Sequence, residues 1–131
     1  MLTTFTRFLI LGAGALSSVA HAATPAEQLA AYSRQSGFAA QPGRGQQFFT
    51  SKHGKDWSCA SCHTTTPMVA GRHASTSKPI EPMAPAANPA RFADTAKTEK
   101  WFRRNCNDVL GRECTATEKA DVLAWLLALK G

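Results

Sequence analysis

This sequence has no long hydrophobic run, no internal repeat and no sustained strand-like alternation, and its fifteen Lys and Arg residues do not cluster. Each absence excludes something. The most apolar stretch, residues 8–19, is twelve residues long, too few to cross a bilayer comfortably, and no later stretch comes close. The mature chain is therefore expected to have no membrane span. Without period-two alternation, a sheet is not expected either. Arg103 and Arg104 are the only adjacent basic pair, whereas a nucleic-acid binder carries a clustered basic stripe with aromatics interleaved. Against nine Asp and Glu the formal charge is +6, which reads as a dispersed, solvated basic surface able to steer an acidic partner. No grouping of acids and bases points to a dedicated enzyme.

What is present begins at the N-terminus. Residues 1–22 carry one charge, Arg7, ahead of the apolar run, and end in Ala20-His21-Ala22, the order of a secretory signal peptide. Its removal is expected to leave one domain, 23–131, of 109 residues, with 14 Lys and Arg against 9 Asp and Glu, formally +5. All four cysteines (Cys59, Cys62, Cys106 and Cys114) lie in that domain, in an oxidising compartment where disulfides persist.

Thr24-Pro25-Ala26-Glu27 is a capping box with proline at the first helical position, and it predicts a helix to about Gln35 that Gly37 ends. A second helix is expected over 43–52, with Phe48 and Phe49 as its apolar edge. Residues 64–90 hold five of the seven prolines and read as one irregular segment, a length that suits a small domain only if it wraps something. Asp94 or Thr95 can cap a helix running through Trp101, Phe102, Val109 and Leu110 to Gly111. Thr115-Ala116-Thr117-Glu118 is a second capping box and opens 116–130, with Val122, Trp125, Leu126 and Leu129 on one face. The fold class is all-α. Gly45 and Phe49, four apart, share a helix face and are expected to meet Trp125 and Leu129.

Cys59-Ala60-Ser61-Cys62-His63 is C-x-x-C-H, the signature of covalent c-type haem attachment. Two thiols three positions apart can each add across a vinyl group of one porphyrin, and the next residue, His63, is presented to the iron as proximal ligand. A single haem c would supply the apolar core that so short a domain lacks, with residues 64–90 along its edge. A thioredoxin-type dithiol wants a βαβ context that is absent here. A zinc site on all four cysteines must accept Cys106 and Cys114 eight apart, well beyond the usual half-site spacing.

The residue opposite His63 decides the function. Methionine is the ordinary choice for electron transfer. Met68 is five residues after His63, too near to reach the other haem face; Met83 is reachable, and is equally suited to packing on the porphyrin edge. Asn105 is a third candidate, an amide set in the stripe Trp101, Phe102, Asn105, Val109, while Asn107 falls on the charged side with Lys100, Arg103 and Arg104. A buried amide needs partners, so Asn105 is either bonded to backbone or a haem propionate, or aimed at the iron. His53 and His73 lie in polar surroundings and read as solvent-exposed imidazoles; Trp57 reads as packing or a propionate contact.

The stretch Lys100-Trp101-Phe102-Arg103-Arg104-Asn105-Cys106-Asn107-Asp108, followed by Gly111-Arg112-Glu113-Cys114-Thr115, resembles the sphaeroides haem protein family. Lys78-Pro79-Ile80-Glu81-Pro82-Met83-Ala84-Pro85, with Asn88-Pro89 and Arg91-Phe92, resembles its middle segment. The resemblance implies a small periplasmic class I cytochrome c-like fold wrapped around one covalent haem. It implies Cys59 and Cys62 as the haem thioethers, His63 as proximal ligand, Asn105 as distal ligand and a disulfide between Cys106 and Cys114. It further implies a high-spin ferric haem, release of Asn105 on reduction so that O2, NO or CO can bind, and a diheme cytochrome c or other acidic redox protein as electron partner. The alternative is a conventional low-spin His/Met electron carrier using Met83. Two propionates would lower the domain's charge from +5 toward +3, still suited to an acidic partner.

Overall fold

The hydroxyl of Thr24 accepts the backbone N–H of Glu27, and the Glu27 carboxylate accepts the N–H of Thr24 at 2.7 Å. That reciprocal cap starts α1 (Pro25–Ser36), and Gly37, in the left-handed region, ends it. A computed structural model of the chain describes residues 23–131; the segment expected to be a signal peptide lies outside the described residues. After α1 come α2 (Pro42–Thr50), the short α3 (Ala60–His63), α4 (Thr95–Leu110) and α5 (Ala116–Ala128). Asp94 caps α4, its carboxylate accepting the Lys97 N–H at 2.9 Å, and Thr115 with Glu118 forms the second capping box. Each helix begins within a residue or two of its sequence signal. No helix among the described residues is long and apolar enough to cross a membrane.

Two features differ from expectation. Residues 64–90 are not wholly irregular: β1 (Gly71–Arg72) pairs antiparallel with β2 (Pro79–Ile80), Gly71 opposite Ile80. Two residues per strand are too few to show alternation, so no periodicity marks them. Gly71 lies so close to the Cys62 carbonyl that a methyl group there would overlap it. The hairpin is thus pinned against the haem motif.

The second difference lies in α5, which was expected to be amphipathic. Residues 120–126 are all buried. The reason is that α5 packs backbone-to-backbone against both α1 and α2, so more than one face is covered. Gly45 of α2 meets the backbone of Asp121 and Val122. Phe49 does reach Trp125, ring centroids 5.1 Å apart. Asp121, only 2% exposed, sits inside this apolar helix because Arg44 and the Gln41 N–H both hydrogen-bond its carboxylate. A buried carboxylate without such donors would be strongly destabilising.

By contrast, α4 makes no comparable backbone approach to the other helices. Side chains tie it on instead. Tyr32 packs edge-on against Phe102 at 5.9 Å, its hydroxyl donates to Glu99 at 2.5 Å, and Lys119 donates to the same carboxylate at 2.7 Å. A disulfide joins Cys106 near the end of α4 to Cys114 just before α5. The space left beneath α4 is a cavity of about 310 Å³.

Candidate haem site

The cavity gathers residues mainly from Phe48 to His63, Ile80 to Phe92, and α4 from its cap to Val109, with His73, Cys114 and Val122 completing its wall. Cys59, Cys62, His63, Met83 and Asn105 all line it, and Met68 does not. Both thiols of the C-x-x-C-H motif are free and half-buried. The Cys62 sulfur accepts the Ala74 N–H at 3.3 Å from the hairpin turn. Burial pushes the Cys59 thiol up to about 11, the opposite of the depressed thiolate that a redox dithiol requires. A zinc site on all four cysteines is closed off as well, since Cys106 and Cys114 are bonded to each other.

His63 closes α3, and the next residue, Thr64, takes φ +63 with ψ 164, a conformation glycine adopts far more readily than threonine. The Thr64 hydroxyl holds that turn by donating to the Thr66 carbonyl at 2.8 Å. Burial first, and the Arg91 charge second, lower the His63 pKa to about 4, so the ring is neutral at pH 7 with a lone pair to offer a metal. Its Nδ1 is buried without a hydrogen-bond partner. A neutral imidazole with an unbonded Nδ1, beside two free thiols in one largely apolar cavity, fits a covalently held haem.

Asn105 is half-buried and lines the same cavity. Its amide makes no hydrogen bond to any described residue, so the backbone-bonded reading does not hold. Asn107, on the outer side, instead donates to the Arg103 carbonyl at 2.7 Å. Trp101 and Phe102 share the cavity wall with Asn105, as the stripe predicted. Met83 is half-buried, packs against the core and donates its N–H to the Pro67 carbonyl at 2.9 Å.

The two remaining histidines are not the exposed imidazoles expected. His53 is half-buried, its Nε2 2.7 Å from the Phe48 carbonyl and its ring against that of Phe48. His73, also half-buried, lines the cavity from the hairpin, and its Nδ1 accepts the Thr76 N–H at 3.3 Å. Polar neighbours in sequence misled here because each ring finds a local backbone partner. Trp57 sits on the cavity rim, 38% exposed.

Sequence reasoning missed Arg91 as a site residue. Its guanidinium donates to the carbonyls of Pro82 and Glu81, at 2.9 and 2.7 Å, and it lines the cavity with no carboxylate in ion-pair range. Burial lowers its pKa, since a half-buried cation is short of counter-charge. A haem propionate is the group that would neutralise it. No spacing marks such a residue. Gln28 was missed too: buried on α1, it donates to the carbonyl of Phe92, whose φ is +57, and so fixes the chain where it enters α4.

The fold and this cavity define a class I-like c-type cytochrome with one haem. A family model described as a domain of unknown function, DUF1924, matches residues 35–126. The chain is 47% identical over 128 residues to the cytochrome c-type protein SHP of Cereibacter sphaeroides, covering 94% of this chain and 98% of that one. The structure of oxidized SHP, an oxygen binding cytochrome c, superposes with a TM-score of 0.75 at 44% identity, over 81% of this chain and 97% of that one. A solution structure of cytochrome c'' from Methylophilus methylotrophus, determined for insight into haem-ligand detachment, gives a TM-score of 0.71 at 35% identity, over 82% and 94% of the two chains. The chain belongs to the family of c-type cytochromes that includes SHP. Its cofactor is haem c, and like its relatives it is a cytochrome.

Proposed function

We propose that this cytochrome is a haem-ligand switch. Cys59 and Cys62 hold the haem, His63 is the proximal iron ligand, and Asn105 is a distal ligand released on reduction so that O2, NO or CO can enter. The observation that carries this reading is the Asn105 amide, which lines the cavity of His63 and both thiols without a hydrogen bond to any described residue. Haem c supplies an iron that cycles between ferric and ferrous states and takes a small axial ligand. An amide oxygen is a hard, weak donor that suits ferric better than ferrous iron, so reduction would loosen the hold of Asn105. From the cavity wall the Asn105 amide would also offer N–H groups as hydrogen-bond donors to a small ligand there. The oxygen binding described for SHP and the ligand detachment described for cytochrome c'' support the same reading.

Residues 1–22 are read as the signal peptide that delivers the 23–131 domain to the periplasm. Its electron partner is a diheme cytochrome c or another acidic redox protein, in keeping with the formal +5 of that domain.

A second reading rests on Met83, which lines the cavity too and would make a low-spin His/Met electron carrier. Paired variants separate the two. Asn105→Ala is expected to leave haem attached but alter the ferric spectrum and the rate of autoxidation, with Met83→Ala spectrally close to wild type. The reverse pattern would refute the assignment of Asn105.

A further inference from the structure

Trp101 is the one cavity-lining residue of α4 that is both large and apolar and substantially exposed, at 39%. An indole left in water costs hydrophobic free energy, and at protein interfaces exposed Trp beside Arg is a common anchor. Here two cations stand over its ring, Lys100 Nζ at 5.9 Å and the Arg104 guanidinium at 5.6 Å from the centroid. Lys97 lies one turn earlier on the same side. Lys97, Lys100 and Arg104 are exposed, and none forms an ion pair with a described carboxylate, whereas Arg44, Arg103, Arg112 and Lys119 each have one.

The acidic residues of this helix do not cancel that charge. Glu99 is turned to the other side, held by Tyr32 and Lys119. Asp94 and Asp108 each stand seven residues from Trp101, at the two ends of the helix, while the cations lie within four residues of it. The surface is therefore positive at its centre, with an aromatic in the middle. That aromatic also forms the wall of the haem cavity, so a molecule seated on it is one side chain from the cofactor.

Building on the haem reading above, we infer that the outer face of α4 around Trp101, Lys100 and Arg104 is the docking surface for an acidic one-electron redox protein. A second copy of this chain is disfavoured by charge. The carboxylates of an acidic partner would displace water and counterions from Lys97, Lys100 and Arg104, and Trp101 would give the contact its apolar centre. The step it serves is a single electron moving from the reduced partner to ferric haem, with no bond made or broken.

The test uses the haem-loaded protein and reduced flavodoxin, an acidic one-electron donor, in stopped flow across a range of ionic strengths. The wild-type second-order rate is expected to fall as salt rises. Lys100→Glu/Arg104→Glu is expected to lower the low-salt rate about tenfold or more and to flatten the salt dependence. Lys100→Gln/Arg104→Gln should fall between. Neither pair lines the cavity, so the ferric spectrum should be unchanged, and reduction by the small cationic methyl viologen radical should not slow. The inference is overturned if Arg34→Glu/Lys130→Glu, on α1 and at the C-terminus, slows flavodoxin as much. It is also overturned if flavodoxin is indifferent to the α4 pair while anionic lipid vesicles bind through it. The ratio of variant to wild-type rates and the salt dependence do not turn on which residue ligates distally, so failure of the Asn105 reading in ligand-binding spectra would show separately.

Discussion

The ring of Phe49 bridges the haem site and the core, its centroid 6.1 Å from that of His63 and 5.1 Å from that of Trp125. It is only 1% exposed, so it cannot be trimmed without leaving a cavity beneath His63. Phe49→Ala is expected to cost about 3–5 kcal/mol of stability. Denaturant unfolding of the holoprotein measures this, and haem staining should persist because haem c is covalently attached. A loss below about 1 kcal/mol would mean that Phe49 is not a core element.

The Cys106–Cys114 disulfide spans eight positions and joins α4 to the cap of α5. Closing a loop that short is worth about 2–3 kcal/mol in the chain-entropy model. Because α4 has few other close backbone contacts, the bridge also steadies the helix that carries Asn105. Cys106→Ser/Cys114→Ser is expected to lower stability by that amount and to broaden or shift the ferric haem spectrum. An unchanged spectrum with lowered stability would reduce the bridge to a staple.

Glu99 supplies a pH dependence. Burial raises its pKa, but the hydrogen bonds from Lys119 and Tyr32 outweigh that, and the net value lies below the usual carboxylate range. A depressed folded-state pKa means stability that is complete above the unfolded value, about pH 4–5, and is lost as pH falls through the folded one. Acid titration of the unfolding free energy should show this loss in wild type. Glu99→Gln should be less stable at neutral pH and flatter on the acid side; a parallel acid limb would contradict the role of Glu99.

Much of this molecule was readable from its residues. Capping boxes at Thr24 and Thr115, the Asp94 cap and the glycines at 37 and 111 are local signals, and the helices follow them. The Trp101–Phe102–Asn105 stripe and the C-x-x-C-H motif converge on one cavity because helix periodicity and spacing carry that information. What stayed hidden depends on tertiary partners. The burial of Asp121 needs Arg44 and Gln41, far away in sequence, and the hairpin at Gly71 needs Ile80 as its opposite. Arg91 and His73 enter the cavity from loop positions that no periodicity marks, and His53 is buried by its bond to the Phe48 carbonyl.

The central claim is that reduction opens the iron at Asn105, and the absorption spectrum of the purified holoprotein tests it most directly. The account predicts a high-spin ferric spectrum without a methionine-sulfur charge-transfer band, and prompt binding of carbon monoxide after reduction. A ferric methionine band, together with a reduced spectrum that carbon monoxide leaves unchanged, would contradict it and assign the sixth position to Met83.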